Sequence, residues 1–130
     1  MQETAGVIVV GCRVIGCSTA YHLARAGAGD VVVLEQSGIG AGASSKSAAQ
    51  LTAWPGVRPL TPDGWPIVGR YPGLDGLVFN CGWGGVGFIM APVVARLAAE
   101  CVMQGAIQMV DSAAMDPGRA ALRGDGAAAA

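Results

Sequence analysis

Aromatic residues make up only 5% of this 130-residue chain, charged residues 13%, and histidine occurs once, at His22. Each shortage excludes something. A lone histidine cannot complete a zinc site, and the four cysteines, Cys12, Cys17, Cys81 and Cys101, form no C-x-x-C pair to replace it. No metal site is expected. A formal net charge of −1 built from so few charges offers no basic face to nucleic acid or to an acidic membrane surface. No basic segment precedes the apolar run Val7–Val10, which is too short for a signal-peptide core, and the cysteine usage suits a reducing, cytoplasmic compartment. The uncharged stretch from Gly76 to Ala95 has the length of a membrane span. Asn80, Gly82, Gly84, Gly85, Gly87 and Pro92 interrupt it, so no span is expected.

What the chain has in quantity is small and apolar residues: 52% are hydrophobic and 21 are glycines. That composition forms a core, and the glycines supply tight turns and places where backbone comes close to another group. A chain this long can bury roughly two thirds of its surface as a single domain.

Val7–Val10, a β-branched run with Gly6 and Gly11 on either side, reads as a buried strand of a parallel sheet. A helix follows from Val14 to Ala26, with Val14, Ile15, Ala20, Leu23 and Ala24 apolar and Gly27 and Gly29 as its stop. Val31–Leu34, ending in Glu35, is the second strand of a β-α-β unit, for which a right-handed crossover is expected. Ser37 to Ser47 is a loop rich in glycine, alanine and serine. Between Trp54 and Arg70 four prolines favour short strands and turns, with Thr61-Pro62-Asp63-Gly64 a turn by its own chemistry and Asp63 its former.

Leu77–Cys81 reads as another buried strand, with Cys81 in the core. The glycine-rich stretch Gly82–Phe88 then feeds a helix expected to begin near Pro92, since proline at the first helical position loses no hydrogen bond. Its apolar stripe is Val93, Val94, Leu97, Ala98, Cys101 and Val102, and Gly105 ends it. Residues 113–130, without period, are expected to be a disordered tail.

A strand followed by G-x-G-x-x-G at a helix start, with an acidic residue about 20 positions on, is the dinucleotide-binding fingerprint. Gly11 and Gly16 are in place, and Glu35 stands at the end of the second strand, where ribose hydroxyls would be bound. The departure is Arg13 in the middle glycine position. That glycine normally lets a pyrophosphate approach the N–H groups at the positive end of the helix. An arginine either swings out to pair with phosphate or fills the space phosphate needs, and the second is the expectation. His22 is read as a solvent-facing helix residue, and packing is the default for Trp54, Trp65 and Trp83.

The segment VIVVGCRVIGCSTAYHLARAGAGDVVVLEQSGIGAGASSKSAAQ resembles the opening of the D-amino-acid oxidase, glycine oxidase and sarcosine oxidase superfamily. GVRPLTPDGWPIVG and LVFNCGWGGVGFIMAPVVARLAAE resemble its closing stretch. The second signature discriminates better, because nicotinamide enzymes share the fingerprint. The resemblance implies an α/β fold: a Rossmann-like, FAD-binding β-α-β unit completed by C-terminal strands and a helix, with residues 1–50 the N-terminal and 51–112 the C-terminal part of that one domain. The cofactor set it implies is Gly11, Arg13, Val14, Ile15, Gly16, Glu35 and Gln36 in the first half, and Ser44, Ser45 and Lys46 along the cofactor. Gly85, Val86, Gly87, Phe88 and Ile89 would lie at the flavin ring. Arg58 matches the arginine that pairs with the substrate carboxylate, a task suited to a guanidinium fork. Gly56 stands where sarcosine oxidases carry a flavin-bonded cysteine, which implies noncovalent FAD. Ile89 replaces their carboxylate-binding lysine and favours the Arg58 type.

The family places a long middle segment, including the substrate-pocket sheet, between these parts. Here Gln50 runs almost directly into Thr52–Pro55, so the substrate domain is expected to be missing. The resemblance implies dehydrogenation of an amine or amino acid at its C–N bond, with turnover in doubt without the pocket. A noncatalytic FAD- or nucleotide-binding fragment, self-associating through faces the missing part once covered, and a nicotinamide dehydrogenase are the other readings.

Overall fold

The computed structural model describes residues 4–39 and 58–123. The order of elements is β1 (Val7–Val10), α1 (Val14–Arg25), β2 (Val31–Leu34), β3 (Ile67–Arg70), β4 (Val78–Cys81), α2 (Gly87–Gln104), a 3-10 turn (Ala113–Met115) and a short α3 (Ala120–Arg123). β1 and β2 pair in parallel from Val7 opposite Val31 to Val10 opposite Leu34, with α1 as the connection, so the expected β-α-β unit is present. β3 and β4 form a separate antiparallel pair, Ile67 opposite Cys81 and Arg70 opposite Val78. The seven residues joining them allow only a hairpin-type return, because a parallel pairing needs a longer crossover. The C-terminal half therefore completes the α/β fold through its helix and not by extending the parallel sheet.

The short β-branched runs make strands as expected, but β1 is not buried on both faces. Its residues alternate, leaving Ile8 56% and Val10 84% exposed, with Leu34 beside them at 50%. Burial on both faces requires a layer on each side, and among the described residues α1 covers only one. Cys81 departs from expectation for a similar reason, since it lies exposed at the end of β4.

α2 begins at Gly87, five residues before the expected start, and Pro92 lies inside it. The helix is nucleated ahead of the proline by the Met90 N–H donating to the Val86 carbonyl at 3.0 Å. Pro92 then forgoes one bond near the helix start, a smaller loss than in the middle of a long helix. Gly105, at φ +84°, closes the other end, where its N–H donates to the Cys101 carbonyl. Ala91, Val94, Ala95, Leu97, Ala98, Ala99 and Cys101 are buried, whereas Val93, expected in the stripe, is 43% exposed. The buried band is wide because α2 is covered from two sides, by α1 and by the β3–β4 pair. Its alanines let α1 approach closely, and there Leu23 is fully buried and Thr19 meets its hydroxyl's need by donating to the Ile15 carbonyl. Among the described residues α2 alone is long and apolar enough to cross a membrane, and much of that apolar surface is buried inside the protein.

The stretch after Asp111, expected to be disordered, is packed as far as residue 123. Met115 joins Val68 and Leu97 in a core cluster flanked by Trp83 and Ile107. Arg119 holds the segment in place. Its Nε donates to Asp63 Oδ2 at 2.6 Å and Nη2 to Oδ1 at 2.9 Å, with further bonds to the carbonyls of Trp65, Pro66 and Asp116. Composition could not reveal this, since one arginine and one methionine carry the contact without any periodicity. Asp63 forms its turn as expected: it also accepts the Trp65 N–H, and the Gly64 N–H donates to the Thr61 carbonyl.

The Arg119 hydrogen bonds hold the Asp63 carboxyl well below the usual carboxylate range, assisted by the Trp65 N–H and opposed by burial. A depressed folded-state pKa contributes stability that is present above the unfolded value, about 3.9, and is lost as pH falls below it. Arg119→Ala is therefore expected to lower the melting temperature by several degrees at neutral pH. The variant should also lose less stability than the wild type between neutral and acid pH, which calorimetry across that range would check.

Candidate functional site

The first half of the site is the turn between β1 and α1. Gly11 sits at φ +99°, a conformation L side chains rarely adopt, and its N–H continues the ladder to the Leu34 carbonyl at 2.7 Å. A Cβ on Gly16 would overlap the Gly11 carbonyl oxygen, so strand end and helix can meet this closely only with glycine there. Arg13 is the N-cap of α1, with φ −86° and ψ −179°. This is extended backbone that any residue adopts, so replacing the middle glycine costs the chain no strain. The Arg13 side chain is exposed. The Arg13 side chain does not cap α1, and the first turn carries no acidic residue to oppose an anion at its positive end. Val14 and Ile15 are half-buried behind it.

Glu35 lies at the edge of the same turn. Its Oε2 accepts the Cys12 N–H at 2.7 Å and its Oε1 the Ser37 N–H at 2.9 Å. The Ser37 and then the Cys12 hydrogen bonds hold its carboxyl below the usual range, against a smaller effect of burial. The carboxylate is ionised at neutral pH and fixed in direction. Gln36 is exposed next to it.

The second half of the site is the loop from Gly82 into α2. Gly84 takes φ +54°, and a Cβ on Gly85 would strike the Arg58 guanidinium, so Arg58 lies across this loop. Val86 caps α2 without a side-chain bond, and α2 too lacks an acidic first turn. Phe88 is 48% and Ile89 79% exposed, presenting apolar surface at the helix start. The two halves meet at Gly87. A Cβ there would lie 3.3 Å from Ile15 Cδ1 and 3.2 Å from Trp83 Cβ. At the far ends of the same helices, His22 and Arg25 share a hollow with Arg96 and Glu100. α1 and α2 therefore run side by side in the same direction, with both N-termini at one end of the molecule.

His22 is half-buried beside the Tyr21 ring, with no catalytic partner among the described residues. Trp83 packs, its indole N–H donating to Asn80 Oδ1, and the Asn80 amide in turn donates to the Val94 carbonyl. Ser44, Ser45 and Lys46, together with Trp54 and Gly56, lie outside the described residues. An open apolar hollow of about 390 Å³ beside the loop, lined by Leu60, Trp65, Trp83, Val86 and Met115, was not anticipated. Leu60 and Trp65 flank the Thr61–Gly64 turn and could have been paired with Trp83, but Met115 gave no signal. Among the described residues no cluster of three metal-ligating side chains occurs.

The sequence model of the family described as FAD dependent oxidoreductase matches residues 6–55 and 51–101. A glycine oxidase of Pseudomonas aeruginosa is 41% identical over 64 residues, covering 49% of this chain and 17% of that protein. A glycine oxidase of Pseudomonas putida is 35% identical over 72 residues, 55% of this chain and 20% of the relative. A D-amino acid dehydrogenase of Cereibacter sphaeroides is 47% identical over 49 residues, 38% and 11% respectively. The chain thus spans a fifth or less of the length of these relatives. No solved structure matches.

Proposed function

The chain belongs to the FAD dependent oxidoreductase family, and from that premise we propose that it is the flavin-binding part of an oxidoreductase acting on the C–N bond of an amine or amino acid, with FAD held noncovalently. The observation that carries this reading is the meeting of Ile15 with Gly87, which sets two helix N-termini, neither with an acidic residue in its first turn, at one end of the fold. Two such ends and a fixed carboxylate suit a ligand with a ribose, a pyrophosphate and an electron-accepting ring. Glu35 takes the ribose hydroxyls, and the N–H groups at the start of α1 take the pyrophosphate. The loop Gly85–Ile89 faces the ring, where N–H groups at the α2 terminus stabilise negative charge. By similarity Ser44, Ser45 and Lys46 lie along the cofactor. FAD, when bound, supplies an acceptor for the hydride leaving the substrate α-carbon.

Arg58, lying across Gly85, holds the substrate carboxylate by two parallel charge-assisted bonds and so fixes the α-carbon. Hydride transfer also needs a pocket that excludes water. Among the described residues the hollow beside the loop is open, and the substrate domain is taken to be missing from the near-direct run of Gln50 into Thr52–Pro55. Turnover by this chain alone is expected to be small. Self-association through the exposed outer face of β1 and β2 is part of the same reading, as is a reducing, cytoplasmic setting for four free cysteines.

The test is the visible spectrum of the purified protein. Flavin bands should persist through gel filtration, and acid denaturation should release the flavin into the supernatant. A protein that stays colourless after added FAD overturns the proposal. Glu35→Gln keeps the shape of the side chain but removes its charge, and is expected to weaken FAD binding about tenfold, the loss of one charge-assisted hydrogen bond. Fluorescence titration checks it below the variant's melting temperature, which should fall slightly because the amide can accept only one of the Cys12 and Ser37 N–H bonds, and an unchanged far-ultraviolet circular dichroism separates lost binding from lost fold.

A further inference from the structure

The residues on either side of the nucleotide turn are both cysteines, Cys12 and Cys17, and their sulfurs lie 3.2 Å apart. They occupy the position before the N-cap and the fourth helical position, the pair that ordinarily meets as a hydrophobic staple fixing the angle at which chain enters helix. Here the staple is made of two thiols. Cys17 Sγ also points at the Cys12 carbonyl at 3.4 Å. Cys17 is exposed, Cys12 half-buried, and the exposed Arg13 lies between them in sequence. Elsewhere Cys101 is buried and Cys81 sits at the end of β4.

We propose that Cys12 and Cys17 are a peroxide-responsive dithiol that closes to a reversible disulfide across the nucleotide turn. A disulfide requires about 2.05 Å between sulfurs, and side chains already in contact need only a small rotation to reach it. The exposed Cys17 reacts first: its thiolate attacks hydrogen peroxide, the O–O bond breaks, and a sulfenic acid and hydroxide result. Cys12, whose proton is held by its hydrogen bond to Cys17, by burial and by the charges of Cys17 and Glu35, is the resolving thiol. It loses that proton as its sulfur displaces hydroxide from the sulfenic acid. In total two thiols and one peroxide give one disulfide and two waters. A thiol reductant reverses the process through a mixed disulfide.

Trypsin makes the proposal directly testable, because cleavage after Arg13 places the two cysteines on different peptides, 1–13 and 14–25. The protein is treated with hydrogen peroxide, its remaining thiols are alkylated, and it is digested without reductant. The expected product is peptide 1–13 joined to peptide 14–25, with Cys81 and Cys101 alkylated, and dithiothreitol separating the pair. Recovery of both peptides singly alkylated overturns the proposal, as does a link to Cys81 or between two chains. Cys12→Ser, a near-isosteric change that removes the resolving sulfur, should leave Cys17 as a sulfenic acid that dimedone traps after peroxide treatment, with the far-ultraviolet circular dichroism unchanged. Absence of the dimedone adduct from peptide 14–25 of that variant would show the assignment of the attacking thiol to be wrong.

The consequence for cofactor rests on the flavin site proposed above. The cross-link closes a ring over Arg13–Gly16, whose N–H groups receive the pyrophosphate, so the oxidised form is expected to bind FAD about tenfold more weakly than the reduced form. Equal affinities would rule out control of the turn. Absence of binding to both forms would count against the flavin site, leaving the cross-link to be judged by the peptides.

Discussion

Gly16→Val is expected to remove most of the folded population at room temperature and with it all nucleotide binding. A single Cβ at this position overlaps the Gly11 carbonyl oxygen. That oxygen belongs to a backbone held on one side by the Gly11 N–H bond to Leu34 and fixed in a left-handed conformation on the other. No flexible side chain can move aside, so α1 must lift off β1. Overpacking of well-packed sites costs about 1–3 kcal/mol and more where backbone must shift, against a total stability of about 5–15 kcal/mol. Small size puts this chain near the lower end of that range. The control is Gly6→Ala, where an added Cβ would meet only ordinary contacts at 3.4 Å from the carbonyl oxygens of Ala28 and Asp30. Denaturant melts should show a large shift of the midpoint for the first variant and a shift of less than about 1 kcal/mol for the second.

Arg13→Gly is expected to raise FAD affinity about tenfold. The extended backbone at residue 13 accepts glycine as readily as arginine, and glycine is a tolerated N-cap, so the fold should be nearly unaffected. What changes is the volume above the helix N-terminus. Removing the side chain lets pyrophosphate reach the N–H groups whose dipole favours it. If the guanidinium instead paired with phosphate, the same variant would bind more weakly, and the wild-type affinity would fall more steeply with salt. Titration of both proteins at two salt concentrations distinguishes these outcomes.

Much of the candidate site could be read before the structure because its signals are local. A β-branched run ending in glycine, a helix stopped by Gly27 and a second run ending in Glu35 specify the β-α-β unit without reference to anything distant. The turn Thr61–Gly64 likewise carries its own chemistry. What could not be read depends on partners far away in sequence. Ile8 and Val10 look like core residues, and their exposure follows from the lack of a second covering layer among the described elements. Pro92 resembles a helix start, but the turn ahead of it is set by Val86 and Met90. Met115 and Arg119 stand in a segment without period and gain their order from Val68, Leu97 and Asp63. The staple of Cys12 and Cys17 lay in the spacing and needed the sulfur positions to be noticed.

The central claim is that both glycine-rich turns serve one flavin. An amide-resolved nuclear magnetic resonance titration of the reduced protein with FAD tests it most directly. The account predicts that Gly11–Gly16, Glu35 and Gly85–Ile89 shift together with a single dissociation constant, while amides near Arg119 stay still. Shifts confined to the first turn, or two constants for the two groups, would contradict it.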